Sequence, residues 1–482
     1  MSKYYLILFL FLYPLSACID GIEIELWKQC YNIEETTILD LSGFQMSGEI
    51  PEEIGELVNL IELDLSLNNL EGEIPLELGN LINLEILNLS LNNLSGDIPS
   101  ILGNLVNLTF LDLNNNNLSG AIPYQLGNLS SLVNLYLYSN QFEAEIPYQL
   151  GNLLSLEKLD LHNNNLEGNI PSAIGNLINL KRIFFYNNQL SADLPSELGQ
   201  LINLTELDLS DNQLSGSIPN TIANLNNLVY LNLGDNDLSG ELPNNITNLT
   251  NLHYFIIRNN SISGNILSTI DNFQNLIGLD LSNNNIEGSI PESIGNLSNL
   301  EYLSMRDNQL TGLIPVSIGN LVNLDKMYLY NNQITGEIPE SIGNLVNLTE
   351  LYLYENLLFG SIPSTIGNLV NLNSLDLSNN NLSGLIPNNI CSQGDTTPNL
   401  NNNNFCFPYP SCLTIDNIGE QNTSECYLIY DLNGDQILNI LDVLILVDVI
   451  IGFENIEFGD FNLDGILNIS DIIILINLIL NT

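Results

Sequence analysis

The sequence predicts an α/β solenoid followed by a small helical module, and three observations carry that expectation. A 24-residue unit recurs fifteen times with no insertion or deletion. Inside each unit leucines alternate over a short stretch, as a strand with one buried face requires. After Cys426 this period stops and a different, duplicated pattern of acidic residues begins.

The first residues read as an export signal. Lys3 gives a positive start, Tyr4 to Tyr13 is an apolar run too short to span a bilayer, and Leu15-Ser16-Ala17 offers a small-residue cleavage site. Leu15-Ser16-Ala17-Cys18 also fits a lipobox, in which Cys18 is acylated and the chain is held at a membrane. Cysteine parity points instead to a disulfide: six Cys remain after residue 17, and six can pair. Both readings place the protein outside the cytosol, in an oxidising compartment. Residues 18–35 then form an N-terminal cap, where Cys18 and Cys30 flank Trp27 and shield the first leucine layer.

Residues 36–390 are the repeats. Pro51 returns as Pro75, Pro99, Pro123 and onward to Pro387, with Leu267 the one interruption. Leu63 and Leu65 bury one strand face, and Asn68, recurring every 24 residues with only Phe44 out of line, satisfies backbone groups as the chain turns. Gly72 serves a backbone conformation closed to other residues, with Ala144 and Ala192 as exceptions, and Pro75 fixes φ on the far side. One unit cannot bury its leucines alone; stacked neighbours can.

This pattern resembles the plant-type extracellular leucine-rich repeat. The resemblance implies a right-handed superhelix with a concave parallel β-sheet and mostly irregular or 3₁₀ convex turns. It further implies recognition rather than catalysis: such relatives are receptor ectodomains, enzyme inhibitors and adhesion molecules. Residues 391–426, around Phe405-Cys406-Phe407-Pro408-Tyr409-Pro410-Ser411-Cys412, resemble the Cys-containing C-terminal cap of plant relatives. That likeness suggests Cys406–Cys412, which leaves Cys391–Cys426; spacing alone leaves all three pairings open.

Residues 427–482 carry two loops 29 residues apart. The first places Asp431, Asn433, Asp435, Asn439 and Asp442 at positions 1, 3, 5, 9 and 12, with the Ile437 carbonyl at 7. The second repeats it with Asp460, Asn462, Asp464, Asn468, Asp471 and the Ile466 carbonyl. This is the spacing of a calcium loop, so two Ca²⁺ ions and calcium-dependent folding are expected. Asp at position 12, the duplication and the absence of a preceding helix signal resemble a type I dockerin of bacterial or archaeal kind. Gln436 stands where the loop usually has Gly, which makes the first site the weaker. The apolar runs Val443–Ile451 and Ile472–Leu480 become its two helices. The resemblance gives loop positions 10 and 11, here Ile440, Leu441, Ile469 and Ser470, a part in choosing a cohesin-like partner.

Composition narrows the function. Against 56 Asp+Glu stand 8 Lys+Arg, a formal charge of -48. Nucleic acid and anionic membrane surfaces are therefore poor partners. Charged residues make up only 13% and hydrophobic ones 45%, so the chain is no disordered acidic tail. His162 and His253 fall four strands apart, roughly 19 Å at about 4.8 Å per strand, too far to share a metal or proton. Asp40 and Asp64 share a slot on adjacent strands, yet that Asp belongs to the commonest form of the strand, so no enzyme is expected.

The outward strand slots, those of residues 61, 62, 64, 66 and 67, hold all six Lys/Arg of the stack and ten of its twelve Tyr. Two patches follow. One gathers Tyr136, Tyr138, Lys158, His162, Lys181, Arg182, Phe184 and Tyr186; the other gathers Tyr302, Arg306, Lys326, Tyr328, Tyr330, Tyr352 and Tyr354. Tyr and Arg are enriched where binding energy concentrates. The expectation is a secreted or cell-surface protein that binds an acidic or hydroxyl-rich protein or polysaccharide ligand on the concave face. Relief of acidic neighbours is the plainer role for the cations. A structural adhesion spacer and an accessory protein of a polysaccharide-degrading complex are the alternatives.

Overall fold

A computed structural model describes residues 18–424, 426–433, 435, 437–451, 459–461 and 466–481. The export signal, Gln436, Asn462 and Asp464 lie outside the described residues. The chain divides into two compact units, with the boundary between Gln189 and Leu190.

The first unit opens with an antiparallel hairpin, Glu23–Leu26 on Gln29–Asn32, closed by the Cys18–Cys30 disulfide. The hairpin buries Ile24 and Leu26 rather than Trp27, which takes a left-handed conformation at its turn. Parallel three-residue strands follow every 24 residues, from Ile38–Asp40 and Glu62–Asp64 to Lys158–Asp160 and Arg182–Phe184. Leu39, Leu63 and Leu87 stand in register, so each repeat lays its leucine directly on the next. A second row of short strands, such as Asn69–Gly72 and Asn93–Gly96, runs along the flank. A 3₁₀ turn such as Leu76–Asn80 closes each unit, entered through Pro75 at φ -67° and ψ 141°.

Repeat joins repeat through buried amides. Asn92 donates from Nδ2 to the carbonyls of Leu65, Leu89 and Ser90, while its Oδ1 accepts from Leu70 N–H at 3.0 Å. The same set recurs around Asn116 and Asn164. This is the role expected of the Asn68 slot. Gly72 lies at φ 80°, and Ala144 and Ala192 hold the equivalent position at 64° and 66°, so the backbone and not the residue dictates it.

The second unit continues the same plan from Glu206–Asp208 to Ser374–Asp376. Its last flank strand, Asn404–Cys406, pairs in parallel with Asn381–Leu385. Here the expected disulfides are corrected: the bonds are Cys391–Cys412 and Cys406–Cys426. Pairing of Cys406 with Leu385 fixes that cysteine on the sheet, 5.5 Å in Cα separation from Cys426. The proline-containing turn after it delivers Cys412 to Cys391 instead, at 5.8 Å, and both separations suit a disulfide.

After Cys426 come a one-turn helix, Tyr427–Tyr430, then Ile440–Ile450 and Ile469–Asn481. The short first helix precedes the first loop, where no helix signal is legible in the sequence. The apolar runs pack around Tyr430, Val443, Leu446, Phe461 and Leu475. Leu385 of the last repeat and Cys426 press on this small core, so the module is seated on the end of the stack. Among the described residues no helix is long and apolar enough to cross a membrane.

Candidate functional site: the outward strand face

Side chains of the first patch meet across adjacent strands. His162 lies between Tyr138 and Tyr186, with ring centroids 4.4 and 4.2 Å away and planes within 13°. Asp160, two residues earlier, holds the imidazole Nδ1 at 2.5 Å. Tyr136 and Phe184 meet this three-ring stack edge-on, and Phe110 extends it to a further strand. Lys158 and Arg182 stand opposite each other in register. Lys181 pairs with Glu157 at 2.8 Å.

The second patch has two stacks. Tyr328 covers Tyr352 at 5.1 Å, Tyr330 covers Tyr354 at 4.3 Å, and Tyr302 meets Tyr328 edge-on. The Arg306 guanidinium sits 5.5 Å from the Tyr330 ring centroid and bonds Asp307 at 2.6 Å. Glu350 accepts from Lys326 Nζ at 2.7 Å and from the Tyr328 hydroxyl at 2.5 Å. Burial pushes the Glu350 carboxyl up, but the Lys326 and Tyr328 hydrogen bonds and the ammonium charge outweigh it, and its pKa falls below the usual range. Burial, then the hydrogen bond and charge of Glu350, drive the Tyr328 phenol strongly upward. It stays a donor.

Two consequences follow. Parallel stacking turns ring faces toward one another, which leaves less of them for a ligand. In addition, Lys181, Arg258, Arg306 and Lys326 are each paired with a carboxylate. The charge of these four cations is thus partly offset on the face itself.

Sequence reasoning missed the carboxylates that organise these patches. Asp160 and Glu350 occupy the same outward slots as the aromatics, which was the available signal. Asp112 belongs with them: burial, opposed by hydrogen bonds from Asn114 and reinforced by the charges of Asp64 and Asp160, raises its pKa to about 6. Asp40 and Asp64, the slot weighed for catalysis, spend Oδ1 on their own turns, at Ser42 and Ser66.

In the first C-terminal loop the expected ligands fold inward. Asn433 Oδ1 and Asp431 Oδ1 both accept from Asp435 N–H, and Asp435 Oδ1 accepts from Ile437 N–H. Asn439 Nδ2 donates to the Ile437 carbonyl, and Asn468 Nδ2 donates likewise to that of Ile466. Asp442 and Asp471 are fully buried and act first as backbone staples. Asp442 accepts from Leu432 and Asn439 N–H, and Asp471 accepts from Phe461 and Asn468 N–H. An all-oxygen donor set of this kind has the hardness calcium prefers. Among the described residues, however, no three His, Cys, Asp or Glu side chains converge closely enough to hold a metal. Ile440, Leu441, Ile469 and Ser470 are exposed at the first turns of the two helices.

Comparison with known proteins agrees with the architecture. A leucine-rich repeat region matches residues 256–388, a leucine rich repeat matches 154–214, and single repeats match 59–81, 83–105, 107–129 and 227–249. A plant peptide hormone receptor, RGFR1 in complex with RGF2, is 36% identical with a TM-score of 0.73, over 77% of this chain and 63% of that one. A TDR receptor structure is 34% identical at 0.75, covering 80% and 67%. A leucine-rich-repeat protein of Leptospira interrogans is 32% identical at 0.61, covering 78% of this chain and 92% of that one. The chain belongs to the leucine-rich-repeat family. It spans less than two thirds of the RGFR1 chain. A sequence comparison with curated proteins gives no match.

Proposed function

We propose that this is a non-enzymatic recognition protein, secreted or displayed at a cell surface, that captures a protein or polysaccharide ligand on its outward strand face. The observation that carries this reading is the pair of ring clusters on the strand face, Tyr138–His162–Tyr186 and Tyr328/Tyr330 on Tyr352/Tyr354. Such clusters, with Arg306 and Lys326 bridged to acids beside them, suit a hydrogen-bonding ligand. Two relatives are described with peptide hormones, RGFR1 with RGF2 and the Arabidopsis receptor kinase HAESA with IDA and the co-receptor SERK1, which supports a peptide among the candidates. Three disulfides support an oxidising compartment.

The C-terminal module is read as a dockerin-like tether. Asp431, Asn433, Asp435, Asn439, Asp442 and the Ile437 carbonyl would hold one Ca²⁺. Asp460, Asn462, Asp464, Asn468, Asp471 and the Ile466 carbonyl would hold the second. The ions would offset carboxylate repulsion in the loops. Ile440, Leu441, Ile469 and Ser470 would face a cohesin-like partner. A peptide and glycan array probed with the full chain tests the first half. Capture abolished by Arg306→Ala with Tyr330→Ala supports it, and capture unaffected by that change and by Tyr138→Ala with Tyr186→Ala refutes it.

A further inference from the structure

A second surface lies on the first repeats, away from both aromatic clusters in sequence. From Gln29 to Glu157 the chain carries 18 Asp+Glu and no Lys, Arg or His, so apart from Glu157, which pairs with Lys181, the stretch supplies no positive side chain of its own to offset its charge. On the same stretch the strand ends expose large apolar groups: Phe44 is 70% exposed, Leu67 59% and Leu91 44%.

The two leucines are in an unfavourable place. Leu67 and Leu91 adopt left-handed backbone, at φ 56° and 55°. In the later repeats that slot holds a short polar residue or Glu, as at Asn115, Ser139 and Asn163. Asn and Asp tolerate left-handed backbone best, whereas a bulky apolar residue there is an outlier. The fold does not need leucine at this slot, as its sister repeats demonstrate. Strain kept at an exposed position points to a use outside the fold.

The residues are neighbours in space. Asn68 N–H donates to the Leu91 carbonyl, and Gly43, beside Phe44, donates to the Ser66 carbonyl next to Leu67. Asp40 and Asp64 stand in register on the strands that lead into this trio. We infer that Phe44, Leu67 and Leu91, rimmed by these carboxylates, form a docking surface for a basic protein segment that pairs Lys or Arg with apolar side chains. A second copy of this chain is a poor occupant, because it would bring the same acidic stretch; an anionic membrane is repelled for the same reason.

The test uses the full-length protein and a short synthetic peptide of Lys and Leu, followed by fluorescence anisotropy at low and moderate salt. The expected result is salt-sensitive binding that weakens at least about tenfold in Leu67→Asn with Leu91→Asn. The melting temperature of that variant should hold or rise, since Asn suits the left-handed slot, so lost binding cannot be ascribed to unfolding. Leu67→Ser with Leu91→Ser, which copies the residue found at Ser139, should lose binding alike. No binding of the Lys/Leu peptide, equal binding of a Lys/Ser peptide, or undiminished binding by both double variants would each overturn the proposal.

Discussion

Tyr330 and Tyr354 lie face to face across adjacent strands, 4.3 Å between centroids and 12° between planes. Each ring covers the other, and the Arg306 guanidinium rests beside Tyr330. The pair is thus part of the fold as well as part of the presented surface. Truncating Tyr330 should cost about 1 kcal/mol of stability, the order of an aromatic pair. Ligand capture by Arg306→Ala with Tyr330→Ala should fall at least about thirtyfold, as for two hot-spot residues. Tyr124→Ala, on an exposed 3₁₀ turn, should change neither. Capture lost with Tyr124→Ala and kept in the double variant would place the site elsewhere.

Asp112 supplies a pH test. Its folded pKa, about 6, exceeds the value of an unfolded Asp near 3.9. The folded state therefore holds the proton more tightly, and this contribution is complete below about pH 4 and lost as pH rises through about 6. The loss is on the order of 3 kcal/mol. Asn88 and Asn232 fill the same slot elsewhere, so Asp112→Asn keeps the local hydrogen bonding. The variant should be more stable than the parent at pH 7 and indistinguishable from it at pH 4. Parallel stability–pH curves for the two proteins would contradict this.

Calcium should stabilise the C-terminal module of the intact chain. At a free concentration about a hundredfold above Kd, binding adds about 3 kcal/mol. Differential scanning calorimetry should reveal one transition moving upward with calcium, and titration should count two sites. Asp431→Asn with Asp435→Asn should remove one of them. Because Asp442 and Asp471 already clasp backbone amides and the core rests on Leu385, chelator should lower that transition rather than abolish it. Identical melting in calcium and chelator would end the calcium reading.

Proteolysis without reductant, followed by mass spectrometry, should recover Cys391 linked to Cys412 and Cys406 linked to Cys426. Separating the second pair by Cys406→Ser with Cys426→Ser should loosen the C-terminal module more than the repeats, since Cys426 packs directly on its core. Recovery of a Cys406–Cys412 peptide would reverse the assignment.

The repeat was legible because period and chemistry coincide. Leu63, Asn68, Gly72 and Pro75 each recur at one spacing and each answers one backbone demand. Two further rows recur at the same spacing with a few exceptions, and their roles passed unread. Asn83 and Asn107 donate across repeats to the carbonyls of Val58 and Ile82, and a Cβ added at Gly103 would strike the Gln125 carbonyl oxygen. The two C-terminal disulfides were not legible, because the docking of Asn404–Cys406 on Asn381–Leu385 decides them and cysteine spacing does not encode that pairing. Patch membership was read from slots, but ring orientation was not. Whether Tyr328 shows its face or its edge depends on the neighbour in the next strand, Tyr352.

The buried amides follow a fixed arithmetic. Asn92 accepts from a residue 22 positions earlier and reaches back 27 positions with its donor, and Asn116 and Asn164 do the same. Junctions that keep these offsets are consequently interchangeable, whereas Asn403 at the end of the stack uses 21 and 26. Cutting out or duplicating one 24-residue segment inside a run of regular repeats would present each surviving Asn with the partners it already uses. Such a run of repeats is an adjustable gauge, open to lengthening or shortening in steps of about 4.8 Å with no new interface to invent.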